Sequence, residues 1–243
     1  MMPDKIESSH RTRYLKLPIS FDVASLKADL AEIREEEWVA HFNTAAYERE
    51  WRCVPLRSME GKSDHIISLA DVRYEDTAIL DRCPGFRAVI DAFECEKNSV
   101  RLMAMGPDSL IKMHRDPGTS FEDGLARLHV PILTTPAAVF TVEDEEIHFS
   151  AGDVWYLNAN CLHGVRNTSP EPRIHLMLDC PVNPWLEKLF LEAGFVPEAK
   201  PKYGDPAIND GNVAKIIASL MAMEGDAGRE LAEKLAALRD TQP

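Results

Sequence analysis

The chain has 243 residues, 45% of them hydrophobic, and 27 Lys+Arg against 40 Asp+Glu leave a net charge of −13. That length suits one globular domain, or one domain with a small appendage, and it can bury a core without disulfides or a structural metal. The acidic balance argues against nucleic acid or an anionic membrane as partner, since both are held mainly by Lys and Arg.

The five cysteines, Cys53, Cys83, Cys95, Cys161 and Cys180, form no CxxC pair. They read as scattered thiols of a reduced, cytoplasmic chain. No apolar run approaches the ~20 residues of a membrane span. The polar opening MMPDKIESSHRTRY does not read as a secretory signal.

In chain order, Val23, Leu26, Leu30 and Ile33 recur at helical spacing behind Asp22, a capping residue. Trp51 to Leu56 reads as a short strand, and Phe86, Val89, Ile90 and Phe93 as a second helix after Pro84-Gly85. From Ser99 the period becomes two. Strands are predicted at Val100–Met105, Leu125–Leu133, Val139–Val142, Glu146–Phe149, Val154–Leu157 and Arg173–Asp179, separated by turn residues. Many short strands without strand–helix alternation predict a mainly β protein with flanking α, a sandwich or jelly roll.

Asn183-Pro184 is a cap followed by proline at the first helical position, and Gly194 ends that helix. Val213, Ile216, Ile217 and Leu220 form one further stripe; Leu231, Leu235 and Leu238 form another. The reading therefore divides the chain into a β-domain with its N-terminal helices, residues 1–181, and a helical extension, 182–243. The extension is expected to cover the β-domain or to serve as a homodimer surface.

His114 and Asp116 make the only His-x-Asp of the sequence, and His163 follows 49 residues after His114 (163 − 114). Residues i and i+2 of an extended segment point to the same side, so His114 and Asp116 can share one metal. Two imidazoles and one carboxylate form the facial triad of non-haem Fe(II) oxygenases, which leaves positions open. The competing reading is a surface His–Asp pair and a structural His163.

Arg173 begins a strand ten residues after His163 (173 − 163). An always-charged, bidentate arginine suits the distal carboxylate of 2-oxoglutarate. With period two, Arg173, His175, Met177 and Asp179 share one face of their strand, and Arg127 and His129 share one face of theirs. Both strands turn aliphatic residues the other way, which predicts a sheet backed by helices with its polar face lining a cavity. Surface salt bridges remain the alternative for Arg127 and Arg173. Residues 117–124 are either a lid or a surface loop. Asn158 and Asn160 either support His163 or serve the turn before it.

The segments HRD, RLHVPI, AGDVWYLNANCLHGVRN and RIHLMLD occur in order, and WVAHFN…Y…W…VPLR precedes them. Together they resemble the aspartyl/asparaginyl β-hydroxylase family, which includes bacterial free-proline hydroxylases; the resemblance covers residues 36–181. It implies a double-stranded β-helix (jelly roll, cupin-like), Fe(II), 2-oxoglutarate and O2. It further implies that His114, Asp116 and His163 bind iron, that Arg173 binds the distal carboxylate, and that Arg127 and His129 hold the carboxylate nearest the metal. The mammalian peptide-modifying members and the related halogenases lack the acidic ligand; this chain keeps Asp116. The expected reaction is hydroxylation of an unactivated C–H bond in a small amino-acid-like substrate, with succinate and CO2 as co-products. The alternatives are hydroxylation of Asp, Asn or Pro in a peptide or protein, a cupin-like metal enzyme without 2-oxoglutarate, and a non-catalytic binding module.

Overall fold

A computed structural model describes residues 12–69, 72–197, 202–205, 207–223 and 225–240. Most of the polar N-terminal opening lies outside these residues. The first compact unit, Thr12–Pro197, runs β1 (Tyr14–Ser20), α1 (Val23–Ala31), β2 (Val39–Ala40), β3 (Tyr47–Glu48), β4 (Trp51–Met59), β5 (Tyr74–Asp76), α2 (Pro84–Asp91) and β6 (Val100–Met105). It continues with β7 (Ser109–His114), β8 (Leu125–Leu133), β9 (Ala138–Val142), β10 (Glu145–Ile147), β11 (Asp153–Leu157), β12 (His163–Asn167), β13 (Arg173–Pro181) and α3 (Pro184–Glu192). A second unit holds α4 (Val213–Met221) and α5 (Asp226–Asp240).

Two antiparallel sheets build the first unit. One has eight strands in the order β1-β11-β8-β13-β6-β4-β2, with β5 on β4; the other has five, β10-β9-β12-β7-β3. From β6 onward the chain alternates between them: β6 in the larger, β7 in the smaller, β8 in the larger, the hairpin β9–β10 in the smaller, β11 in the larger, β12 in the smaller and β13 in the larger. This alternation is the double-stranded β-helix, and it follows from short period-two strands that each need one face covered.

The larger sheet has two unlike faces. Leu128, Val130, Ile174, Leu176 and Leu178 point to one side and join Leu26 of α1, Phe86 and Val89 of α2, and Leu186 and Phe190 of α3 in the main core. Met103, Met105 and Met177 point to the other side and share a second core with Ile111, Phe140 and Val165 of the smaller sheet. The polar residues of β8 and β13 lie on this second side, as the alternation predicts.

Local signals explain the helices. The Asp22 carboxylate accepts from the backbone N–H groups of Ala24 and Ser25, both at 3.1 Å. Asn183 caps α3 by accepting from Leu186 N–H at 3.0 Å, and Pro184 follows it. Gly194, at φ 88°, takes the left-handed turn that ends α3.

The domain boundary differs from the sequence reading. α3, expected in a helical extension from residue 182, packs Leu186, Leu189 and Phe190 into the main core. The division therefore falls after Pro197. An amphipathic helix following a β-strand cannot be assigned to one core or another from its own pattern. In the second unit Tyr203, Val213 and Leu235 are buried together, while Leu231 and Leu238 of the expected α5 stripe are exposed. Among the described residues no helix is long and apolar enough to cross a membrane.

Candidate metal centre and its cavity

β7 ends at His114 and β12 begins at His163, and these two residues face each other in the antiparallel register. Their ring centroids lie 4.3 Å apart. Asp116 follows β7 by two residues, with its Oδ1 3.7 Å from His114 Nε2. One donor atom from each of His114, Asp116 and His163 falls within 4.8 Å of the others, and no other such cluster occurs among the described residues. The third donor is thus a strand neighbour of the first, brought in by pairing.

Backbone contacts set both imidazoles. His114 Nδ1 donates to the Lys112 carbonyl at 2.8 Å, and His163 Nδ1 donates to the Cys161 carbonyl at 3.0 Å. A carbonyl only accepts, so each ring carries its proton on Nδ1 and offers the Nε2 lone pair to a metal. Burial lowers His163 to about 4, further aided by the His114 ring and opposed by the Cys161 contact. Gly164 allows the close approach of the strands: a Cβ there would sit 2.9 Å from the Ile111 carbonyl oxygen and 2.8 Å from Met113 Sδ.

The second oxygen of Asp116 accepts from Arg127 Nη1. Arg127 also donates from Nε and Nη2 to Asp179, at 2.8 and 3.2 Å. Asp179 is 0% exposed and accepts from Arg101 Nη2 at 3.1 Å as well. Burial alone raises the Asp179 carboxyl, but the Arg127 and Arg101 charges outweigh it and hold it at about 2. The chain Asp116–Arg127–Asp179–Arg101 is therefore a continuous ionic network, buried at Asp179 and Arg101 and partly exposed at Asp116. Arg127, expected to face a cosubstrate carboxylate, instead has three of its nitrogens on two protein carboxylates, one of them a candidate metal ligand.

Arg173 is the opposite case. It is 3% exposed, and no carboxylate of the described residues pairs with it. Its Nη2 donates to His175 Nδ1 at 2.7 Å, its guanidinium lies 4.8 Å from the Phe140 ring centroid, and its Nε is buried without a partner. Burial pulls its pKa down to about 9. A buried cation lacking a counter-ion is costly unless an anion joins it. His129 is buried beside it with both ring nitrogens unpartnered, kept neutral first by burial and then by the Arg173 charge.

These residues line one cavity of about 570 Å³, which also takes in His41, Trp51, Arg101 and Thr119. His175, on the same strand face as Arg173, is buried and bonded to it. Residues 117–124 are pinned rather than free: Phe121 stacks on Phe190 at 4.3 Å and donates its N–H to Tyr156 Oη at 2.9 Å, and the Thr119 carbonyl accepts from Ala159 N–H at 3.0 Å. Asn158 and Asn160 serve the turn, Asn158 Oδ1 accepting from Asn160 N–H at 3.2 Å. Tyr156 is the core member of its pair with Trp155, which stacks on Phe149 instead. Arg101 was not among the expected site residues. Its signal was a lone cation in the strand VRLMAM, buried on both faces.

The sequence profile of the family described as Aspartyl/Asparaginyl beta-hydroxylase matches residues 20–182. An L-proline cis-4-hydroxylase of Rhizobium meliloti (strain 1021) is 25% identical over 164 residues, covering 66% of this chain. The chain spans 58% of that relative's length. Among solved structures, an oxidoreductase of the 2OG-Fe(II) oxygenase family from Burkholderia pseudomallei is 18% identical with a TM-score of 0.47, covering 70% of this chain and 85% of its own. A Pseudomonas putida prolyl-4-hydroxylase is 12% identical with a TM-score of 0.46, covering 70% of this chain and 93% of its own. With its profile match extending over two thirds of the sequence, from α1 to the end of β13, the chain belongs to the aspartyl/asparaginyl β-hydroxylase family.

Proposed function

We propose that the chain is an Fe(II)- and 2-oxoglutarate-dependent hydroxylase of a small, amino-acid-like acid. His114, Asp116 and His163 would hold the metal. Two neutral imidazoles and a carboxylate suit Fe(II), and three donors leave coordination positions for other molecules. Arg173 would hold the far carboxylate of 2-oxoglutarate. The observation that carries this reading is Arg173 itself: a buried guanidinium without a carboxylate partner, in the cavity that the three donors also line.

The bound metal and cosubstrate would supply oxidative chemistry that turns O2, 2-oxoglutarate and a substrate C–H into succinate, CO2 and the hydroxylated product. The protein's own part is orientation and exclusion. The Lys112 and Cys161 carbonyls fix which imidazole nitrogen faces the metal. Arg127 fixes Asp116 through its second oxygen, so one oxygen remains for coordination. His129, Phe140 and Met177 enclose the space around Arg173 and keep bulk water from it. The relative's action on L-proline supports a small substrate over a protein side chain.

Succinate release with Fe(II), ascorbate and 2-oxoglutarate, screened across free and acylated amino acids and short Asp, Asn and Pro peptides, tests the class. Arg173→Ala is expected to raise the KM for 2-oxoglutarate by roughly 10–100-fold, the worth of a lost charge-assisted contact of about 1.5–3 kcal/mol. Unchanged turnover and KM in that variant would overturn the cosubstrate assignment.

A further inference from the structure

The cavity extends from the candidate metal donors and Arg173 to a rim at the protein surface. Its volume of about 570 Å³ lies in the range of about 300–1,000 Å³ that encloses drug-sized ligands. Its lining is graded by exposure. The buried part contains His163, Arg173 and His129. The exposed part contains Phe42 at 62%, Ile67 at 48% and Leu69 at 48%. Large apolar side chains left open to water side by side mark a surface that something covers.

Between these parts stands Arg101. It is 6% exposed and lines the cavity. Its Nη1 donates to the Ile66 carbonyl and its Nη2 to Asp179, while its Nε is buried without a partner. The network's charge count favours an anion here. The two guanidinium groups of Arg101 and Arg127 balance the two carboxylates of Asp116 and Asp179, so a divalent cation held by Asp116 would leave the network net positive. Beside Arg101 the cavity wall is flat and aromatic: His41 stacks on Trp51 with centroids 3.6 Å apart and planes at 7°. The Ile66 carbonyl that Arg101 holds also begins the segment bearing Ile67 and Leu69, so the cation and the apolar rim are joined through one strand of backbone.

We propose that the substrate is an amphipathic acid: its carboxylate meets Arg101, and an apolar extension runs along the His41–Trp51 wall to the rim of Phe42, Ile67 and Leu69. An acylated amino acid has this chemistry, and a bare amino acid does not. The inference rests on the reading of this cavity as the substrate site of a hydroxylase and adds the class of substrate to it.

The test is the affinity of the Mn(II)-loaded full chain, with 2-oxoglutarate present and O2 absent, for N-acetyl-, N-butanoyl-, N-hexanoyl- and N-octanoylglycine, measured by calorimetry. Kd is expected to fall by about tenfold or more from the acetyl to the octanoyl member, because each buried methylene adds to binding. Phe42→Ser with Leu69→Ser, two exposed positions whose loss leaves the cores intact, is expected to flatten that dependence. Arg101→Gln is expected to weaken every member alike. A Kd independent of chain length overturns the proposal, as does the same dependence in the double variant. Succinate release is followed in parallel. Substrate-stimulated release with free amino acids and no chain-length effect sinks the amphipathic substrate and leaves the hydroxylase standing. A chain-length effect with no release from any acid does the reverse.

Discussion

At the scale of single residues, two of the cavity's three arginines illustrate how environment divides identical side chains. Arg127 is neutralised by Asp116 and Asp179, whereas Arg173 has only a neutral imidazole and an aromatic face. The first holds protein carboxylates, and on the proposed reading the second would receive a foreign one. Arg127→Gln is therefore expected to act through Asp116. Metal affinity, read by titration with Mn(II), should fall by about 10–100-fold, the usual effect of removing a group that orients a metal ligand. An Arg127 that merely filled space would leave that affinity unchanged. The alternation of β13 sets Arg173 and Asp179 on one face, so their shared side of the sheet is legible in RIHLMLD. That Asp179 would capture Arg127 was not, because a strand pattern gives the face of a residue and not the partner opposite it.

At the scale of elements, the strands that carry the candidate metal donors are the hardest to read. β7, SLIKMH, alternates only weakly and ends in Lys-Met-His, and β12, HGVRN, is five residues long and contains glycine. Neither is predicted as a strand, although spacing and resemblance single out His114 and His163 as candidate ligands. Composition explains this: a strand that supplies polar ligands gives up the apolar residues by which strands are recognised. Gly164 shows the same trade. Gly164→Ala is expected to press the new Cβ against the Ile111 carbonyl, move β12 from β7 and weaken Mn(II) binding more than it lowers Tm. On the other side of the larger sheet, Phe190→Ala should cost about 3–5 kcal/mol in urea unfolding, as for other fully buried aromatic residues. Asp179→Asn should cost a comparable amount, about 3–5 kcal/mol, since it leaves two guanidinium groups buried around a neutral amide.

At the scale of the molecule, the buried titratable groups set a direction for pH. His129 and His175 are held neutral well below their ordinary value, first by burial and then by the Arg173 charge. In the unfolded chain such rings take up protons near pH 6.5, about the reference value. The unfolded state thus binds more protons below that pH, and stability declines as the pH falls from about 6.5. Asp179 acts in the same direction at lower pH: its contribution is intact above about 3.9 and is lost as the pH falls toward its folded value of about 2. A Tm series from pH 7.5 to 4.5 should therefore fall on the acid side, and His129→Phe should shallow that limb. A Tm that rose on acidification would contradict the neutral assignment. The outline of the molecule was legible earlier than its subdivision. Period-two strands from Val100 to Asp179 announced the sandwich, but the apolar stripe of α3 could not say which core it would join.

The division of the cavity between two sheets has a mechanical consequence. His114 and His163 belong to the five-stranded sheet, while Arg127, His129 and Arg173 belong to the eight-stranded one. A molecule bonded to both sets would act as a rivet across the seam of the sandwich. Backbone amides on both sides of that seam, in β7 and β12 as much as in β8 and β13, should then slow their exchange with deuterium together when metal and diacid are added. The diacid without the metal should slow only the larger sheet, because it would have nothing to grip on the smaller.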